Sequence, residues 1–153
     1  MRMALNIHVT CHDVRWERHP EQMQVLRKVV RCVASDKGIS HKSVSVLLTN
    51  DAEMHQLNQQ YRGIDRPTNV LSFCPSDDFP DFLGDIALSY ERVHTEPHCA
   101  DSGADLFAHL VTHALLHLLG YDHECDEDAV VMESEERRIL KKMGFCAPLH
   151  NTW

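Results

Sequence analysis

The apolar positions of this chain switch between strand-like and helix-like periods, and the switches mark out nine elements. Residues 4–9 read as a short strand. Pro20 fits the first position of a helix. Val25, Leu26, Val29, Val30 and Val33 supply that helix with an apolar stripe, which ends at Gly38. Ser43 to Thr49 is short and β-branched, hence a strand. Asn50-Asp51-Ala52-Glu53 places an N-capping side chain three residues before a glutamate, and the helix it starts runs to about Tyr61. Arg62 to Pro67 is a turn-rich loop, and Asn69 to Phe73 a strand. A polar, proline-containing loop, Pro75 to Asp81, leads to a strand at Gly84 to Ser89. Tyr90 to Cys99 reads as a short helix broken near Pro97. Residues 103–119 form a helix, and so do residues 126–143. The latter turns Val130, Val131, Ile139, Leu140 and Met143 toward the core, and Gly144 closes it. The order β-α-β-α-β-β-α-α-α describes an α+β fold, with a small mixed sheet packed by helices. No internal repeat, low-complexity tract or linker interrupts residues 1–153, so a single domain is expected.

The helix over 103–119 carries the chemistry. Its end reads His113-Ala114-Leu115-Leu116-His117-Leu118-Leu119-Gly120-Tyr121-Asp122-His123, or H-x-x-x-H-x-x-G-x-x-H. Residues four apart stack on one helical face, so His113 and His117 grip a single ion from a rigid platform. Gly120 falls where a helix ends in a left-handed residue, and the turn returns His123 as a third ligand. Three neutral nitrogens and one open position are the layout of a catalytic zinc site, not a closed structural one. Phe107, Leu110, Val111, Leu115, Leu116, Leu118 and Leu119 make this helix apolar nearly all round, so it should be buried. Buried imidazoles need partners, and spacing alone leaves a hydrogen-bonded core cluster as the alternative to a metal.

Composition narrows the class. A hydrophobic fraction of 43% and a charged fraction of 25% are ordinary for a globular domain. No stretch reaches the roughly 18 apolar residues of a membrane span. The N-terminus lacks the apolar core of a signal peptide. A cytoplasmic protein with no membrane partner is expected. The six cysteines form no C-x-x-C pair and read as small hydrophobes in a reducing compartment; Cys125, two residues past His123, is the one near the ligands. Net charge is −8 and uneven, with +3 on residues 1–66 and −11 on residues 67–153. Any surface for a polyanion must therefore come from the first half: Arg15, Arg18, Arg27, Lys28, Arg31, Lys37, Lys42, Arg62 and Arg66. Ordinary solvated charges would look the same.

The histidine layout is also that of metzincin proteases, H-E-x-x-H-x-x-G-x-x-H, whose glutamate deprotonates the metal's water. Here that position is Ala114, and a methyl group takes no proton. His113 to His123 is more specifically similar to the H-G-x-L-H-L-x-G-Y-D-H signature of the YbeY family of endoribonucleases. Asn58-Gln59-Gln60-Tyr61-Arg62-Gly63-Ile64-Asp65-Arg66-Pro67-Thr68-Asn69-Val70-Leu71-Ser72-Phe73 resembles that family's N-x-x-Y-R-x-x-D-x-P-T-D-V-L-S-F, and Leu83-Gly84-Asp85-Ile86 resembles its L-G-D-I. Ala114 stands for the usual Gly, Asn69 for the usual Asp and Cys74 for a common Pro.

The resemblance implies a zincin-like metal-binding helix and a single-strand-specific, metal-dependent endoribonuclease. It implies action in ribosomal RNA maturation and ribosome quality control, with RNA and ribosome as partners and no DNA. It implies one zinc per chain on His113, His117 and His123, and a catalytic role for Arg62. Other divalent transition metals also suit histidine ligands. The chemistry is compatible: a guanidinium fork matches a phosphate and the charge that builds on it. A loop arginine that caps the preceding helix is the structural alternative for Arg62. His109, one turn before His113, is expected to support a ligand, line the groove or make a core hydrogen bond. Asp122 orients an imidazole or stabilises its turn, and Asp85 is read as structural. Two rival functions remain, a metalloprotease-like hydrolase using another base and a metal-stabilised ribosome-associated binding protein.

Overall fold

Four strands set the frame. In the computed structural model, which describes residues 5–95 and 103–146, they are β1 (Leu5–Cys11), β2 (Lys42–Thr49), β3 (Val70–Phe73) and β4 (Phe82–Ser89). They lie in the order β1-β2-β4-β3. β1, β2 and β4 are parallel, and β3 is an antiparallel edge, so the sheet is mixed as expected. Helices α1 (Glu21–Lys37) and α2 (Asp51–Arg62) follow β1 and β2. Helices α3 (Tyr90–Thr95), α4 (Gly103–Leu118) and α5 (Asp126–Met143) follow β4. Pro97 and Cys99, where the sequence suggested a break, lie outside the described residues.

Local chemistry explains these boundaries. Asn50 caps α2 by accepting the Glu53 N–H at 3.0 Å. Glu53 does not reach back to complete a capping box; its carboxylate takes the Thr49 hydroxyl at 2.5 Å and His12 at 2.8 Å. Pro20 stands at the N-cap of α1, one residue earlier than expected. A 3₁₀ helix at Val14–Arg18, absent from the sequence expectations, is capped by the Asp13 side chain. It buries Trp16, whose indole N–H donates to the Thr49 carbonyl at 2.8 Å.

The sheet is covered unequally. On one face Val44, Val46, Leu48, Ile86 and Leu88 pack with Leu26, Val29 and Val33 of α1 and with the whole buried run of α4 from Leu106 to Leu116. Met132, Ile139, Leu140 and Met143 of α5 close this core. Val130 and Val131 do not join it: they are exposed, because the inward stripe of α5 runs through 132, 136, 139, 140 and 143. The opposite face carries only a small cluster of Met54, Leu71 and Ala87, with Leu47, Leu57 and Phe73 at its margin. Beside α2 that face stays open. Cys11, Cys32, Cys74 and Cys125 are free thiols. Cys146 is disulfide-bonded, contrary to the expectation that all six stay reduced.

Candidate metal centre

The end of α4 builds the site. Gly120 adopts φ +103°, a conformation that side-chain-bearing residues rarely take. Its N–H donates to the His117 carbonyl at 3.0 Å, and the Tyr121 N–H donates to Leu116 at 3.0 Å, which closes the helix. The chain then doubles back. His113, His117 and His123 offer ligand atoms that all lie within 4.8 Å of one another. A tetrahedral zinc site needs nitrogens roughly 3.4 Å apart, so small ring movements suffice.

The imidazoles are chemically prepared for an ion. His113 Nδ1 donates to Glu136 Oε1 at 2.6 Å, and His117 Nδ1 donates to the Tyr121 carbonyl at 3.0 Å. Both rings therefore keep the Nε2 lone pair for a ligand. Burial, then the neighbouring His113 and His123, push the His117 imidazole down to about 4, so it is neutral at physiological pH. A neutral donor set of this kind fits zinc or another borderline divalent ion.

Glu136 is the functional residue that the sequence reading missed. It is 1% exposed on the inward stripe of α5. One carboxylate oxygen lies 2.6 Å from His113 Nδ1 and 3.4 Å from His109 Nε2. Burial alone would raise this carboxyl, but hydrogen bonds from His109 and His113 outweigh it and bring it to about 2. His109 is thus a buried partner of Glu136, not a groove-lining residue. Asp122 Oδ1 accepts the His123 backbone N–H at 2.7 Å, the turn-stabilising role of the two proposed for it. Cys125 is exposed at the N-cap of α5 and is not part of the ligand group. Ala114 is buried beside the ligands and brings no base.

Arg62 belongs to a second feature. It ends α2 and lines a groove of about 700 Å³ with Tyr61, Phe73, Cys74 and Asp85, on the open side of the sheet. Asp85 is exposed there, and among the described residues neither its carboxylate nor the Arg62 guanidinium has a hydrogen-bond or ion-pair partner. β3, β4 and the end of α4 meet closely at Gly84. A Cβ on Gly84 (φ +142°) would fall 2.4 Å from the Phe73 carbonyl oxygen and 2.7 Å from Leu118 Cδ2 of α4. Asn69 is buried just before β3 and does not line the groove. Of the other first-half cations, Arg15 is bound to Asp13 and Glu91, and Lys37 lies near Asp36 and Glu135, whereas Arg66 is exposed. Among the described residues no helix is long and apolar enough to cross a membrane.

Comparison with known proteins agrees with the motifs. A sequence model of the family described as endoribonuclease YbeY matches residues 7–144. An endoribonuclease YbeY of Bradyrhizobium diazoefficiens is 41% identical over 147 residues, covering 87% of this chain and 79% of that protein. One of Rhodospirillum rubrum is 49% identical over 116 residues, covering 69% of this chain and 57% of that protein. The solution structure of TM1509 from Thermotoga maritima matches with a TM-score of 0.52 at 26% identity, over 90% of this chain and 91% of that one.

Proposed function

The chain belongs to the endoribonuclease YbeY family, and from that premise we propose that it is a metal-dependent endoribonuclease cutting single-stranded RNA. We infer that ribosomal RNA maturation and ribosome quality control in the cytoplasm are its setting, with one zinc per chain as cofactor and the whole chain acting as one catalytic domain. The observation that carries the catalytic part is the convergence of three imidazoles, two of them with Nε2 freed by buried or backbone acceptors.

His113, His117 and His123 would hold the ion. A divalent ion held by them would supply a water of near-neutral pKa and polarisation of a phosphoryl oxygen. Glu136 fixes the His113 ring and its tautomer, and the Tyr121 carbonyl does the same for His117. Arg62 contributes a charged planar fork for a phosphate of the same strand. Its state suits that role, because among the described residues no carboxylate pairs with it. The metzincin peptidase base is missing from its motif position, which Ala114 occupies, and the Glu136 carboxylate is held on the Nδ1 side of His113, away from the ligand nitrogen.

The test compares a short unstructured RNA with the same sequence in a duplex, with and without chelator, for wild type and Arg62→Ala. Chelator-sensitive cleavage of the single strand, slowed at least about tenfold in the variant, is expected. Equal cleavage of both RNAs, or none at all by metal-loaded protein, overturns the reading.

A further inference from the structure

The groove beside α2 holds an arrangement that metal chemistry does not require. Tyr61 is 62% exposed, and its ring lies 5.2 Å from that of Phe73, with 58° between the planes. Phe73 is the direct cross-strand partner of Asp85, so its ring and that carboxylate stand side by side on one face of the sheet. Arg62 follows Tyr61 at the end of α2. Leu47 and Leu57 supply an apolar floor. The Asp85 carboxylate is exposed and, among the described residues, has no hydrogen-bond or ion-pair partner, so its oxygens are available to accept from a ligand in the groove.

We propose that this groove is a subsite for one unpaired nucleotide of the RNA, with its base against Phe73 and Tyr61, its phosphate on Arg62 and its Watson–Crick edge on Asp85, and with guanine as the preferred base.

The inference rests on the endoribonuclease reading for its occupant. Each part of the nucleotide meets a matching group. Exposed aromatic faces stack unpaired bases of any sequence. A volume of about 700 Å³ accommodates a ligand of nucleotide size. A lone guanidinium binds phosphate. An ionised carboxylate is acceptor-only, and guanine alone among the four bases presents two adjacent N–H groups, N1–H and N2–H, on its Watson–Crick edge. Uracil places carbonyls on both sides of its single N–H, and adenine and cytosine place an acceptor nitrogen beside their amine. Stacking therefore holds the base, and Asp85 selects it.

Guanosine 5′-monophosphate and uridine 5′-monophosphate are suitable probes, because neither contains a phosphodiester to cut. Each is titrated into the full chain by NMR or calorimetry, in the presence of chelator to remove metal-bound phosphate. Binding about tenfold tighter for the guanosine nucleotide is expected. Asp85→Asn should bring the ratio to within about twofold. Tyr61→Ala should weaken both nucleotides by about 5- to 100-fold. Asp85 and Tyr61 are exposed, so both variants should keep the wild-type melting temperature. Equal binding of the two nucleotides, or a preference that survives in Asp85→Asn, overturns the proposal. Cleavage of single-stranded RNA by the same preparation separates the two readings. RNA cut without guanosine preference removes the subsite and leaves the nuclease. Guanosine preference without any cut supports the groove and counts against the nuclease.

Discussion

Replacing Glu136 by Gln isolates the charge that stands behind the first histidine. The substitution keeps size and an acceptor oxygen, so His113 Nδ1 retains a hydrogen bond and the buried site retains its packing. What disappears is the negative charge at the other end of a 2.6 Å contact. Hydrogen bonds to charged groups are worth about 1.5–3 kcal/mol and neutral ones about 0.5–1.5. The difference, about 1–2 kcal/mol, is the extra ligand basicity that His113 draws from the carboxylate. It corresponds to roughly 5- to 30-fold weaker metal binding, which overlaps the range of about 10–100-fold found when outer partners of metal ligands are removed. The assay is zinc competition against a chromophoric chelator at pH 7.5, with urea unfolding of the metal-free protein as the control for folding. A folded Glu136→Gln protein whose zinc affinity stays within about twofold of wild type would refute the role assigned to this carboxylate.

Two further outcomes follow from packing and charge. Gly84→Ala forces a Cβ against the Phe73 carbonyl and Leu118 in a left-handed backbone; a loss of about 2–4 kcal/mol is expected, and calorimetric melting at the wild-type temperature would contradict it. Asp36 is held by Arg138 at 2.6 Å and Lys142 at 3.0 Å, and chiefly the Arg138 hydrogen bond keeps its carboxyl well below the usual range. A depressed folded-state pKa adds stability above the unfolded value near ~3.9, and that stability is lost as pH falls through the folded value. Asp36→Asn should therefore cost about 1–2 kcal/mol at pH 7, with the gap to wild type narrowing as the pH drops below about 4. Denaturant melts at pH 7 and pH 3 with a constant gap would contradict the linkage.

Much of the frame was legible because local rules and tertiary packing agree. Asn50 caps, Gly38 and Gly120 end helices, and the spacing of His113, His117 and His123 fixed one face and one turn. The failures came where a side chain's place depends on a distant element. Glu136 is charged, and charge ordinarily means surface. Only its register with Met132, Ile139, Leu140 and Met143 betrayed an inward position. Val130 and Val131 misled in the opposite sense, as apolar residues on the outer side of the first turns. Asp85 lay in a strand whose inward residues are plain, but which face of that strand stays open depends on how far α2 extends across the sheet. That Arg62 lines a groove with Phe73 and Asp85 likewise depends on how α2 sits beside β3 and β4, which no motif spacing encodes.

The most direct measurement is cleavage of a short unstructured RNA by one preparation of the protein, taken as zinc-loaded, chelator-stripped and zinc-restored, beside folded His117→Ala. Cleavage that is present when loaded, lost on stripping, regained with zinc and absent in the variant is the predicted result. Undiminished cleavage by both the stripped protein and His117→Ala would contradict a catalytic role for the three-histidine centre.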